Sequence, residues 1–564
     1  MAVVGMAGRY PQAADLEAYW RLVGEGRDTG AVVPEGRPGA TGGRAGAAGA
    51  GRVVGHWLER VQDFDHEFFG IGADEAALMD PQERLFLETA WEAFEDGGCA
   101  GSRLDALRCV GVYVGVGAGD YRLWGMGTGA DVGAGVEAAG SSWGVANRVS
   151  AVLGLTGPSL CVDTAESSVL VALHQAVAAM RAGECEAALV GGVRVRVHPS
   201  SWGAQGPAGV GEGVGVGEGV GALLLKPLER AVADGDTLYA VVRGSAVGFC
   251  GAGVRDGAGV PDAAGVRDAA GVRDAAVKAA GGGGAGVCAG GEVVAPVVGR
   301  RAGAATGAAL VTWGVLGLWH GGAWGARTTG ADEAGAEAAG AEETGGAARV
   351  SVGVRGVGGA EAWVVLEPYR GVGGGPAGSL STPARPECGP VAPGDGRARV
   401  GSGSAGTEGA GGAGGAGELV VLSGPSAGHV EATARRLREW VGRGSGERVG
   451  LAGVARGLRV GRAAMGWRWA VVVEDLEELA QALEETSCVE VTGGGAGPMG
   501  LGRVPETREF VAALWRGGRL AQVRELWLAG VDVDWAALET VPGVGAVSVP
   551  LPASAFLRTP LWLP

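Results

Sequence analysis

Glycine sets the first limit on what this chain can fold into. It fills 114 of 564 positions, about a fifth, where ~7% is usual. No Gly-X-Y period runs through it, so a collagen triple helix is excluded. The excess is local. Residues 281–286 read GGGGAG, residues 321–347 form an acidic Gly/Ala tract, and residues 371–417 are rich in Gly, Ser and Pro. High backbone entropy makes such stretches poor material for a packed core. A Gly-Val-X-Asp unit also recurs every six residues, with copies starting at Gly253, Gly259, Gly265 and Gly271. Four imperfect copies are too few for a β-helix and read as a local duplication.

Outside these segments strand and helix patterns alternate. Ala2 to Met6 is a short apolar, β-branched run, and Asp15 to Val23 has helical spacing. Positions 80–97 give the clearest helix. Asp80 can cap it, Pro81 suits its first turn, Leu85, Leu87, Ala90, Trp91 and Phe94 make an apolar stripe, and Gly97-Gly98 stops it. Strands are expected at Val110–Val116, Leu160–Val162, Ala187–Val197, Gly221–Leu225 and Leu238–Val242, with a helix from Ser167 to Ala182. Arg349 to Glu367 is strand-like again. Beyond the 371–417 linker, Leu419–Leu422 and Trp469–Val473 read as strands. Ala427–Val441, Leu476–Leu483 and Pro505–Leu528 read as helices, 489–503 as loop, and Val547–Pro564 as an extended end. This alternation argues for a layered α/β fold.

A net charge of −16 disfavours a general phosphate-backbone binder. The eight cysteines, at 99, 109, 161, 185, 250, 288, 388 and 488, show no CxxC spacing, so neither a zinc knuckle nor a disulfide scaffold is expected, and the thiols should be reduced and mostly buried. There is no run of about 18 apolar residues and no signal-peptide logic at the N-terminus, which leads to an expectation of a cytoplasmic protein without a metal.

Several long stretches carry a resemblance. MAVVGMAGRYPQAADLEAYWRLVGEGRD, FDHEFFGIGADEAALMDPQERLFLETAWEAFEDGG, ANRVSAVLGLTGPSLCVDTAESSVLVALH and GVGALLLKPLERAVADGD resemble the ketosynthase (beta-ketoacyl synthase) domain of modular type I polyketide synthases. VVLSGPSAGHVEATARRLREWV resembles the linker subdomain that follows it, and VSVPLPASAFLRTPLWLP the tail that wraps back across it. No acyltransferase sequence lies between linker and tail, a layout similar to synthases served by a separate acyltransferase. The resemblance implies a thiolase-like layered α-β-α-β-α fold plus a small α/β linker subdomain. It divides the chain into a ketosynthase N-terminal half at 1–245, a degenerate C-terminal half at 246–370, the linker at 371–417, the α/β subdomain at 418–490, and a helical segment with wrapping tail at 491–564. It further implies a dimer, no resident cofactor, and a substrate carried on the phosphopantetheine arm of an acyl carrier protein.

The family's chemistry uses one cysteine and two histidines, and here the pattern departs from it. The nucleophile motif reads Val162-Asp163-Thr164-Ala165-Glu166-Ser167-Ser168, with Glu166 where the cysteine belongs. A carboxylate that accepted an acyl group from a thioester would form a high-energy mixed anhydride. Cys161 lies inside the preceding strand and reads as a core thiol. Of the six histidines none falls between His198 and His320. Matching to the family puts Gly290 and Arg301 at the two histidine positions and Trp313 at the following lysine. His320 matches a surface position, and His174 a structural one. The loop that resembles the family's gate keeps Gly358 and Gly359 but carries Arg355 and Val357 where gating aromatics stand. Thr164, Ser167, Arg355, Gly358 and Gly359 are the substrate-side positions that the resemblance marks.

Nucleophile, histidines, lysine and gate have changed together. The reading that follows is a ketosynthase-like protein that does not elongate. It would serve as a dimerising scaffold or carrier-protein-binding partner, alone or paired with an intact ketosynthase, and in the company of a separate acyltransferase. The alternatives are a loading-type decarboxylase, which Glu166 imitates loosely, an active condensing enzyme, and a new activity with Glu166 as general base.

Overall fold

The computed structural model describes residues 1–37, 54–107, 109–117, 119–123, 141–202, 216–249, 292–293, 306–320, 338–344, 347–355, 360–369, 417–444, 449–491, 504–539 and 550–563. The hexapeptide repeat, nearly all of the 371–417 linker, and the positions of Gly290, Arg301, Val357, Gly358 and Gly359 lie outside them.

The principal sheet has ten strands. Its first half is β1 (Ala2–Arg9), β2 (Val110–Val116), β3 (Ser159–Val162), β4 (Ala187–Arg194) and β5 (Gly219–Lys226). Its second is β6 (Ala240–Phe249), β7 (Glu292–Val293), β8 (Ala338–Thr344), β9 (Ala347–Arg355) and β10 (Ala360–Glu367). The order is β7-β8-β9-β10-β6-β1-β5-β4-β2-β3, and the halves join where Ala2 and Val3 of β1 pair with Val241 and Ala240 of β6. In the first half β2 runs parallel to both β3 and β4. The described pairs of the second half are all antiparallel.

Helices α1 (Leu16–Gly24), α2 (Pro81–Asp96), α3 (Trp143–Leu153), α4 (Ser168–Ala182) and α5 (Thr306–Trp319) pack on this sheet. One apolar core joins α4 and α5 to the inner faces of both halves, through Tyr113, Val190 and Leu223 on one side and Val350, Val352, Val364 and Leu366 on the other. A second core packs α2 and α3 on the outer face of the first half, through Val110, Val112, Val114, Leu189 and Leu224. Strands buried on both faces must be apolar at every position, which is why β2, β4 and β5 read as continuous runs rather than as alternation. The fold is the thiolase-like α/β architecture, and among the described residues α4 and α5 are its two central helices.

A second, three-stranded sheet is formed by β11 (Glu418–Gly424), β12 (Trp467–Val473) and β13 (Val489–Glu490). Helices α6 (Ala427–Gly442), α7 (Gly450–Gly461) and α8 (Leu476–Ala482) cover it, followed by α9 (Pro505–Arg516) and α10 (Leu520–Leu528). The tail then crosses to the first unit. Thr559 and Pro560 pair with Phe64 and Asp63, and Ser554 donates from both N and Oγ to Glu95 of α2, at 2.7 and 2.6 Å.

The sequence reading missed α3 and α7 and gave no strand to the acidic tract, where β8 runs. It also gave one helix over Pro505–Leu528. Gly517 and Gly518, the latter with φ +67°, divide that span, because a left-handed glycine ends α9. The expected 489–503 loop begins with the short β13. The expected strand to Val197 ends at Arg194, where Val195 and Arg196 turn their amides to Gln82 and Glu218 side chains.

Candidate active site

The site is built where β3 runs into α4. Strand β3 ends at Val162, Asp163 and Thr164 follow, and Ala165–Ser167 make one 3₁₀ turn before α4 begins at Ser168. Ala165 has φ +58°, a left-handed conformation that costs a non-glycine residue about 1 kcal/mol or more. Local hydrogen bonds hold it there. Asp163 Oδ1 accepts from Ala165 N at 3.2 Å and Ser168 Oγ accepts from Thr164 N at 2.9 Å, while Ser168 Oγ donates to Ala165 O at 2.6 Å. Ser167 Oγ donates to Thr164 O at 2.8 Å and also meets Thr164 Oγ1. Both serines are buried turn-formers.

Two glycines let the neighbours close in. A Cβ on Gly115 of β2 would lie 2.8 Å from Val169 N, and one on Gly307 of α5 would lie 2.9 Å from Val169 Cβ. Strands β9 and β10 and helix α5 also contact the turn. Glu166 is half-buried on it. Its charge acts on Arg196, whose guanidinium burial and the neighbouring Arg194 push toward deprotonation while Glu218, Asp120 and Glu166 oppose them. Behind lies a buried ion pair that sequence reading did not find. Glu218, fully buried, accepts from Arg37 Nη1 at 2.8 Å, Leu58 N at 2.9 Å and Arg196 N at 2.7 Å. The alternation Arg194-Val195-Arg196-Val197-His198 carried a signal for this charged face.

Cys161 is half-buried, not the core thiol that was expected, because β3 is the edge strand of the sheet. Burial nevertheless raises its pKa to about 11, so it is a thiol at neutral pH. The expectation of mostly buried cysteines needs the same correction: of the five described, Cys99 and Cys185 are buried and Cys109, Cys161 and Cys488 are half-buried, with no disulfide among them. Each described histidine has a partner outside residues 163–168. His56 meets Thr29, His66 the Ile71 carbonyl, His174 Ser245 at 3.0 Å, and His198 Ser200. His429 bridges Ser426 and Asp65, and His320 stacks on Trp20. Burial and Arg181 lower the pKa of His174, disfavouring its protonated form. Trp313 is 1% exposed inside α5. Arg355 ends β9 opposite Glu361. Among the described residues no group of His, Cys, Asp and Glu is arranged to hold a metal ion, and no helix is long and apolar enough to cross a membrane.

Residues 1–231 match the family described as beta-ketoacyl synthase, N-terminal domain, and residues 421–490 match the RhiE-like, KS-MAT linker domain. Over all of this chain the fold superposes on the ketosynthase from module 6 of the bacillaene synthase of Bacillus subtilis 168, with TM-score 0.72, 26% identity and 99% of that chain covered. Residues 1–231 thus belong to the beta-ketoacyl synthase family, and the chain has the fold of polyketide synthase ketosynthases. It is also similar to the oxazolomycin ketosynthase domain OzmH KS7 of Streptomyces albus JA3453, with TM-score 0.71, 28% identity, and 100% and 98% of the two chains covered. Among curated proteins, polyketide synthase ThaG of Burkholderia thailandensis is 42% identical over 264 residues, and PksL of Bacillus subtilis is 36% identical over 279. Each match covers 44% of the ketosynthase and only 5% or 6% of the relative, so the chain spans a small fraction of their length.

Proposed function

We propose that this ketosynthase does not elongate a polyketide and acts instead as a dimerising, carrier-protein-binding member of a synthase. The observation that carries the reading is Glu166 on a nucleophile turn whose frame is otherwise kept: the strained Ala165, the serine hydrogen bonds and the glycine approaches. A helix N-terminus beneath a cysteine would favour a thiolate. Glu166 presents a carboxyl group in place of the thiol, and a carboxyl group could take an acyl chain from a thioester only as a high-energy mixed anhydride. Trp313, buried where the family carries a lysine, fills the second central helix with apolar volume.

The phosphopantetheine arm of an acyl carrier protein is the ligand this reading assigns to the turn, with Thr164 and Ser167 beside it. The partner for assembly is a second copy or an intact ketosynthase, and a separate acyltransferase would serve the same synthase. Gly290 and Arg301 at the histidine positions, and Arg355, Gly358 and Gly359 at the gate, belong to the same proposal.

The test is intact-mass spectrometry after incubation with an acyl-N-acetylcysteamine thioester. No adduct should map to residues 163–168. A stoichiometric acyl group on Glu166 or Ser167 would overturn the reading.

A further inference from the structure

A second set of reactive side chains lies where the linker subdomain meets the ketosynthase. Ser426 Oγ is 2.7 Å from His429 Nδ1, and His429 Nε2 is 2.7 Å from Asp65 Oδ2. Asp65 and His429 are 2% and 1% exposed, whereas Ser426 is half-buried. A carboxylate only accepts, so Nε2 carries the ring proton and Nδ1 presents its lone pair to the serine O–H. Asp65 is itself fixed, accepting from Phe68 N at 3.0 Å through Oδ1 and from Leu557 N through Oδ2. The ring lies beside Phe68, with centroids 5.8 Å apart.

We propose that Ser426, His429 and Asp65 form a serine-hydrolase site for small acyl esters or thioesters, assembled only when linker and ketosynthase are docked. Nucleophile, base and orienting carboxylate contact one another in that order, with Nδ1 toward the serine and Nε2 toward the carboxylate, the reverse of the usual ring orientation in a serine triad. Ser426 occupies the N-cap of the 16-residue α6 in an extended conformation, and its side chain makes no capping bond. Its hydroxyl is turned to the imidazole instead, and the first-turn amides of α6 lie next to it as donors for an oxyanion. Gly428 keeps the approach open: a Cβ there would stand 3.0 Å from Leu557 Cδ1 and 3.8 Å from Ser426 Oγ. Leu557, 42% exposed, and Phe556, packed edge-on against Phe68 at 4.8 Å, supply apolar surface for a short acyl chain.

In the reaction Ser426 Oγ bonds to the carbonyl carbon and its proton passes to His429 Nδ1. The C–O or C–S bond then breaks, and the leaving alcohol or thiol takes that proton. Water cleaves the acyl-serine by the same route, releasing the acid and restoring the hydroxyl. His429 acts as base, and Asp65 is a positioning residue.

The experiment is labelling of the full chain with a fluorophosphonate probe, followed by peptide mapping. One adduct is expected on Ser426, absent in Ser426→Ala and slowed on the order of a hundred-fold in His429→Gln. Asp65→Asn should lower the maximal labelling rate while leaving the half-saturating probe concentration unchanged, which a loss of packing alone would not do. If Asp65→Asn undocks the linker, seen as a lower unfolding midpoint, His429→Gln carries the test. No adduct at Ser426 in the folded protein, or undiminished labelling of His429→Gln, would show that the three side chains only clamp the two units. An adduct at 426 is separate from one at 163–168, so this outcome and that of the elongation test are read independently.

Discussion

Glu166 stands on a turn held by the left-handed Ala165 and by the hydrogen bonds of Ser167 and Ser168. Glu166→Cys should therefore accept an acyl group on the turn, since the helix terminus that activates a thiol is present. It should still form no carbon–carbon bond with malonyl carrier protein. Robust condensation by this single variant would mean that a histidine does reach the turn. The motif made the substitution legible from sequence alone, but the ion pair behind it was not, because Arg37, Glu218 and Arg196 meet only after three distant segments converge. Buried carboxylates give a second prediction at this scale. Burial raises Asp80 to about 6, Glu83 to about 7 and Asp96 to about 6. Groups whose folded pKa lies above the unfolded value bind protons more tightly in the folded chain. Their contribution is thus complete below about pH 4 and is lost as the pH rises through 6 to 7. Glu83→Gln should flatten that decline and add about 1–2 kcal/mol at pH 7.5, measured as urea midpoints across pH.

Helix α5 shows what reversion would cost at the level of an element. Its residues from Thr306 to Leu318 are buried on every side. Trp313→Lys would put the family's charge back into a buried space now shaped for an indole. A loss of about 3 kcal/mol or more is expected from the missing volume and the buried ammonium. A thermal midpoint unchanged by this variant would mean that the pocket still accepts a lysine. The same helix explains what the sequence concealed. Uniformly apolar α5 has no helical stripe, whereas the caps and stripe of α2 (Asp80, Pro81, Gly97) made it readable at once. Helix α7 was hidden by glycines at 450, 453, 457 and 461, which propensity assigns to loops. Strand β8 runs through Ala, Gly and Glu, a composition with little strand preference, and takes its place from pairing with β9.

For the molecule as a whole, β3 is the last strand of the sheet among the described residues. Leu160 on that strand is 47% exposed and Trp143 at the head of α3 is 58% exposed. Unpaired strand edges flanked by apolar surface associate. Light scattering at micromolar concentration should give about twice 55.8 kDa, and Leu160→Lys should shift the protein toward monomer or aggregate. A stable wild-type monomer would remove the scaffold role. The tail carries a consequence in time. Glu88, Glu92 and Glu95 of α2 receive Arg558 and Ser554, Arg84 donates to the Leu561 carbonyl, and Tyr121 Oη accepts from Leu563 N, across separations of 442 to 477 residues. Made on a ribosome at about 5–20 residues per second, the first half of the fold would wait tens of seconds for these partners to emerge. Until then α2 keeps carboxylates turned toward a surface that is not yet covered. A chaperone that holds α2 during that interval would be competing with the protein's own last segment for the same groove.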